Sequence, residues 1–215
     1  MLRWTGRALI ITGSLIVLFI LYELYGTGVI TSHDQNRLKR TFTAQVHAAL
    51  AIASPSPPGP GVTPTASSAP NGPSNPDAGS GVADIKIPKI NLDMIVVEGV
   101  SVANLKEGPG HYPGTPLPGQ AGNVVISGHR TTYLHPFRNL DQLAKGDPIY
   151  LESLKGTTYT YDVSSITTVL PTDLAVVDNT RSNQLTLTTC TPPFSASHRL
   201  IVVATLQGTP SNRSA

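Results

Sequence analysis

The chain carries one cysteine, Cys190, inside the run QLTLTTCTPPFSASHRLIVV (184–203). A thiol does chemistry as the thiolate, which forms where a cation or an imidazole stands close. Strand periodicity sorts the residues before it: Leu185 and Leu187 fall on one face, Thr186, Thr188 and Cys190 on the other. The spacing therefore presents Cys190 off the apolar face, at a strand end where a Pro-Pro loop begins. A cysteine kept for packing is more often buried among apolar neighbours. The next strand opens at Arg199, after the loop TPPFSASH. If the two strands pair through that loop, Arg199 lies beside Cys190. Its charge there favours the thiolate and can stabilise an oxyanion or hold a substrate backbone. The bland alternative is an incidental thiol and a surface arginine, with Thr188 and Thr189 serving only as good strand formers. A backbone amide next to Cys190 is a further oxyanion donor.

A cysteine nucleophile usually works with an imidazole. Six histidines are available: His33, His47, His111, His129, His135 and His198. His33 and His47 precede a Pro/Gly-rich stretch and are poor choices. His129 ends NVVISGH in phase with Val125 and Ser127, just past Gly128, so it is placed as Cys190 is, at a strand end before a polar loop. That parallel makes it the first choice. His111 in GPGHYPGT and His198 beside Arg199 are the alternatives, with His111 expected to pack or hydrogen-bond in its loop and His198 to be solvated.

These residues need a scaffold, and residues 82–208 read as one. Short β-rich runs (ADIKIPKI, LDMIVVEG, AGNVVISGHR, DPIYLES, TTYTYDVSSITTVL, QLTLTTC, RLIVVATLQG) alternate with Gly, Pro, Asn and Asp punctuation. This is the pattern of an all-β barrel or sandwich. SVANLKEG and HPFRNLDQLAKG predict short helices, the second with Leu140 and Leu143 on one side. The expected fold is an all-β, closed or nearly closed barrel with short helices. A lone cysteine excludes an intramolecular disulfide framework and a multi-cysteine zinc site. A net charge of +2 implies no pull toward nucleic acid.

Upstream, residues 8–30 form an apolar run with one charge, Glu23, preceded by Arg3 and Arg7. About 20 apolar residues span a bilayer, so residues 1–31 are expected to be an uncleaved signal-anchor. Residues 32–53 are expected to be a juxtamembrane segment, a short helix whose basic residues rest on lipid headgroups. Residues 54–81, rich in Pro, Gly and Ser, cannot bury a core and are expected to be a disordered linker. As a spacer it would reach roughly 30 Å as a coil and on the order of 85 Å extended, holding the domain off the membrane. Residues 209–215 are a flexible tail. The expected location is a single-pass cell-membrane protein, N-terminus cytoplasmic, with the domain outside.

TLTTC, the C-x8-R spacing and the preceding GHR, with GPGHYPGTPLPGQAGN before the histidine strand, together resemble a sortase over about 85–206. HRTTY and the short Cys-to-Arg loop are most like class E, the housekeeping sortases of high-GC Gram-positive bacteria. Thr191 departs from the histidine that often follows the cysteine in that class. The resemblance implies a cysteine transpeptidase needing no cofactor or metal: Cys190 is the nucleophile, His129 the general acid/base, and Arg199 the oxyanion or positioning residue. Tyr133, Thr188 and Thr189 are implied substrate contacts, Tyr133 through the class E preference for LAxTG over LPxTG. The implied partners are surface proteins with a C-terminal LAxTG/LPxTG-like sorting signal and a peptidoglycan precursor amine of the lipid II type. The competing reading is a catalytically inactive sortase-like module for surface binding or adhesion. Papain-like and L,D-transpeptidase patterns do not match: His129 precedes Cys190, and the cysteine ends a strand.

Overall fold

The β-rich runs close on themselves. The computed structural model describes residues 2–21, 27–53 and 76–212. Eight strands form a closed barrel: β1 (Gly81–Ile87), β2 (Leu92–Glu98), β3 (Gly110–His111), β4 (Asn123–Ser127), β5 (Pro148–Ser153), β6 (Thr157–Val169), β7 (Gln184–Thr191) and β8 (His198–Asn212), in the order β1-β2-β3-β4-β7-β8-β6-β5. Three helices accompany them, α1 (Leu2–Leu21), α2 (Thr27–Ala53) and α3 (Val102–Glu107). Inward residues alternate as strand geometry requires. Ile85, Ile87, Val96, Val124, Ile126, Ile149, Leu151, Leu185, Leu187 and Val202 fill one buried core.

The connectivity fixes which strand ends meet. β1 runs antiparallel to β2, β2 parallel to β3, and β3 antiparallel to β4. β4 therefore points the same way as β1, and β7 runs parallel to β4. The C-terminal ends of β1, β4 and β7 share one rim of the barrel. The start of β8 joins them there, because β8 returns antiparallel to β7.

Two expectations need correction. The expected helix in 135–146 is a single 3₁₀ turn at Leu140–Gln142. Its two leucines are nevertheless buried in the core as their spacing suggests. The larger difference is α2. The helix expected in 32–53 is part of a longer, 27-residue helix, and one face of it docks on the barrel. Leu38, Phe42 and Val46, spaced four apart on one face, bury against Ile95 and Val97. The Gln35 side chain takes the place of a strand neighbour: its amide donates to Ile95 O (3.0 Å), and Ile95 N donates back (2.8 Å). Arg37 and Lys39 pair with Glu107 (3.5 Å) and Asp93 (2.6 Å) rather than facing outward alone.

A docked α2 also changes what the Pro/Gly-rich stretch can do. It follows α2 and joins it to β1, so it connects two parts of one body and does not set the barrel's distance from the N-terminus. Residues 54–75 lie outside the described residues, as do 22–26 within the expected membrane span. Among the described residues, no helix is long and apolar enough to cross a membrane.

Candidate active site

The site is assembled from strand register. β4 and β7 pair in parallel with Ser127 opposite Thr188. The pairing continues one step further, since Gly128 N donates to Thr188 O (3.1 Å) and Thr189 Oγ1 donates to Gly128 O (2.7 Å). The next residues out along the two strands are His129 and Cys190, which therefore leave the ladder at the same level. On the other side of β7, Cys190 lies directly opposite Arg199 in the β7–β8 ladder. Directly opposed residues project on the same face with Cβ atoms about 5 Å apart. The thiol, the imidazole and the guanidinium thus converge at one rim of the barrel, all three half-buried.

Local packing holds each group. A Cβ on Gly128 would lie 2.6 Å from the Phe137 ring, so only glycine lets the strand end pass that close to the core. Phe137 N donates to His129 O (3.1 Å), closing the 130–136 loop back on the histidine. The Tyr133 ring lies 5.2 Å from the imidazole at a 42° tilt. Burial first, and the nearby Lys106 cation second, hold His129 below the usual histidine range. Its Nε2 is buried and has no hydrogen-bond partner among the described residues. An unpartnered buried ring nitrogen at a rim is free to take or give a proton. Arg199 Nη1 donates to Ala196 O (3.0 Å) and His198 O (3.1 Å), which draws the β7–β8 loop around the guanidinium.

Thr188 and Thr189, the implied substrate contacts, sit within β7 just before Cys190. Both side chains are buried, and the Thr189 hydroxyl is engaged by Gly128. They hold the strand ends together. The face that Cys190 shares with Thr186 and Thr188 is polar but covered, and it opens only at Cys190. His111 is buried, with Nδ1 2.7 Å from Glu98 Oε2 and Nε2 near Pro116 O and Thr115 Oγ1. It fastens its loop, as expected. His198 is exposed and meets only Ser197 Oγ (3.1 Å) among described partners.

Sequence patterning does not single out Arg130. This residue follows His129, and its buried guanidinium donates to Thr191 Oγ1 (2.8 Å) and pairs with Asp141 (2.9 Å). It links the residue after the histidine to the residue after the cysteine, 61 positions away. The motif GHR contains it, but only the register reveals the partner. A cavity of about 240 Å³ lies on the same rim, between Asn91, Asp93, Leu134, His135, Arg138 and Asn139. Its lining includes none of Cys190, His129 or Arg199.

A thiol, an imidazole and a guanidinium at parallel strand ends can carry nucleophilic acyl transfer. The family model for the sortase domain matches residues 85–207. The chain belongs to the sortase family. Sortases are cysteine transpeptidases. Sortase SrtE1 of Streptomyces coelicolor is 30% identical over 93% of this chain, which spans 55% of that protein's length. Among solved structures, sortase E from Streptomyces avermitilis shares 36% identity and a TM-score of 0.56, covering 62% of this chain and 92% of its own. The sortase D5 transpeptidase of Clostridium perfringens has a TM-score of 0.64 at 26% identity, over 84% of this chain and 99% of its own. The class E likeness read from HRTTY agrees with the first two.

Proposed function

We propose that this sortase is a membrane-anchored transpeptidase that cleaves an LAxTG/LPxTG-like sorting signal between Thr and Gly. The observation that carries the reading is the register that places Cys190 opposite Arg199 and level with His129. The Cys190 sulfur attacks the threonine carbonyl carbon, with the oxyanion facing Arg199. The C–N bond breaks, and His129 gives a proton to the leaving glycine amine. The threonyl thioester then meets an amine of a peptidoglycan precursor. The amine attacks the same carbon, its proton passes to His129, and the Cys190 thiolate leaves. Tyr133, against His129, is the contact read as favouring LAxTG. The apolar run 8–30 supports a single-pass anchor with the barrel outside, facing the wall, where surface proteins bearing sorting signals are met.

The test is intact-mass analysis of the chain incubated with LAxTG and LPxTG peptides and an amine acceptor. A thioacyl adduct on the native chain, absent in Cys190→Ala, is expected, with LAxTG giving the faster adduct. No adduct with either peptide would leave the inactive binding module as the better reading.

A further inference from the structure

The mechanism leaves α2 and α3 unused, yet a continuous set of contacts runs from them to the imidazole. α3 has six residues and buries none of them. A helix that short is marginal on its own, so what fixes it decides where its side chains stand. Its first turn is capped by Ser101, whose Oγ accepts from Asn104 N (3.2 Å). Its last turn is fixed by α2. Gln35 Nε2 donates to Glu107 O (2.8 Å), and Arg37 pairs with the Glu107 carboxylate. A Cβ on Gly108, the next residue, would fall 2.3 Å from that same Gln35 nitrogen, so the glycine lets the two helices meet. Directly before Glu107 is Lys106. Its ammonium sits 5.5 Å from the centroid of the Tyr133 ring, within cation–π range. The same ring lies 5.2 Å from His129. Tyr133 is also the first of three successive non-glycine residues in the left-handed region, Tyr133, Leu134 and His135, at φ 50°, 59° and 39°. Such backbone is strained and persists only where its surroundings hold it.

We propose that Lys106 is a positioning residue for His129, acting through the Tyr133 ring, and that α2 is the brace that keeps it in place. By register and chain position, the charged and titratable residues beside His129 are Cys190 on β7, Arg199 one strand further on β8, Arg130 and Tyr133 on its own loop, and Lys106 on α3. Lys106 is the one delivered from outside the barrel, and its delivery depends on Gln35 and Arg37. The segment nearest the N-terminal apolar run is thereby part of the catalytic machinery. The direction of the charge effect is set: a cation beside His129 disfavours the imidazolium, and its removal favours it.

The proposal rests on His129 being the proton-transfer group, so the decisive readout uses no peptide. The full chain in detergent micelles is titrated by NMR at the His129 imidazole, assigned with His129→Asn, and Cys190 alkylation by iodoacetamide is followed against pH. Lys106→Met is expected to move the imidazole midpoint upward and the alkylation profile with it, while Lys106→Arg keeps both in place. Gln35→Leu is expected to move the midpoint in the same direction and to add nothing in a Lys106→Met background. Arg37→Ala, at an exposed side chain, gives a second test of the brace, and thermal melts establish that each variant is folded. With peptide, Lys106→Met is expected to lower kcat/KM by roughly two- to fivefold. A midpoint unmoved by Lys106→Met, or not restored by Lys106→Arg, overturns the role of Lys106. Folded Gln35→Leu and Arg37→Ala chains with an unmoved midpoint overturn the brace. Failure of the peptide reaction with these shifts intact would count against the sorting-signal reading and leave this one standing.

Discussion

At the rim, Arg130 ties together the two strand ends that carry Cys190 and His129. Arg130 holds Thr191, the neighbour of Cys190, while its own neighbour is His129. Replacing it by methionine keeps most of the packing and removes both polar attachments. The Thr191 hydroxyl and Asp141 then lose their charge-assisted partner, a loss of about 1–3 kcal/mol. Because displacements of an ångström in a reacting geometry can cost about a hundredfold, Arg130→Met is expected to lower kcat/KM by roughly 10- to 100-fold. Steady-state rates taken well below the melting temperature check this, since stability alone would leave them unchanged. Arg130 also marks the limit of sequence reading. The placement of Cys190, His129 and Arg199 at one rim is legible because each ends or begins an alternating run, so their faces follow from periodicity. The partner of Arg130 depends on which strands are neighbours, which periodicity does not contain. The burial of Thr188 depends on what covers the outer face of β7, and the bond of Thr189 to Gly128 on which strand lies beside it; periodicity contains neither.

The strands themselves carry a conflict that bears on stability. Asp84 on β1 lies directly opposite Glu152 on β5, and both are buried. Burial pushes the Asp84 carboxyl above its usual range, against the pull of Lys86. The fold therefore favours the protonated form. That contribution is fully present below the unfolded value near 3.8 and is lost as pH rises through the folded value. At neutral pH the ionised side chain is a cost, and like charges directly opposed on a sheet add to it. Asp84→Asn is expected to stabilise the chain at pH 7 by up to about 1 kcal/mol, and the gain is expected to shrink as pH approaches 3.5. Thermal melts of the two proteins across that range would show it; a gain independent of pH would contradict the assignment. Among the elements, β1, β2 and β4 to β8 were visible as β-rich runs between turn residues. β3, two residues long, was not, because so short a bridge leaves no periodic signal. The docking of α2 was hidden too: Leu38, Phe42 and Val46 are sparse in a polar segment, and their partners Ile95 and Val97 belong to a strand whose other face fills the barrel.

For the molecule as a whole, the anchoring proposal predicts that the full chain floats with lipid vesicles in a density gradient. A chain lacking residues 2–26 is expected to stay in the soluble fraction and still form the Cys190 adduct. A full chain that remains soluble would remove the anchor from the proposal. With the anchor in place, the fastening of α2 confines the enzyme. From Leu21 to Gln35, which bonds Ile95 in the barrel, the chain can reach roughly 30 Å at most. If the proposed anchor holds, the rim that carries Cys190 moves in a thin layer along the bilayer and not through a volume. Its search for a partner held in the same bilayer becomes two-dimensional, and each partner presents a local concentration set by that layer's thickness. Rates measured with free peptides in solution would understate the turnover such an enzyme reaches on a surface.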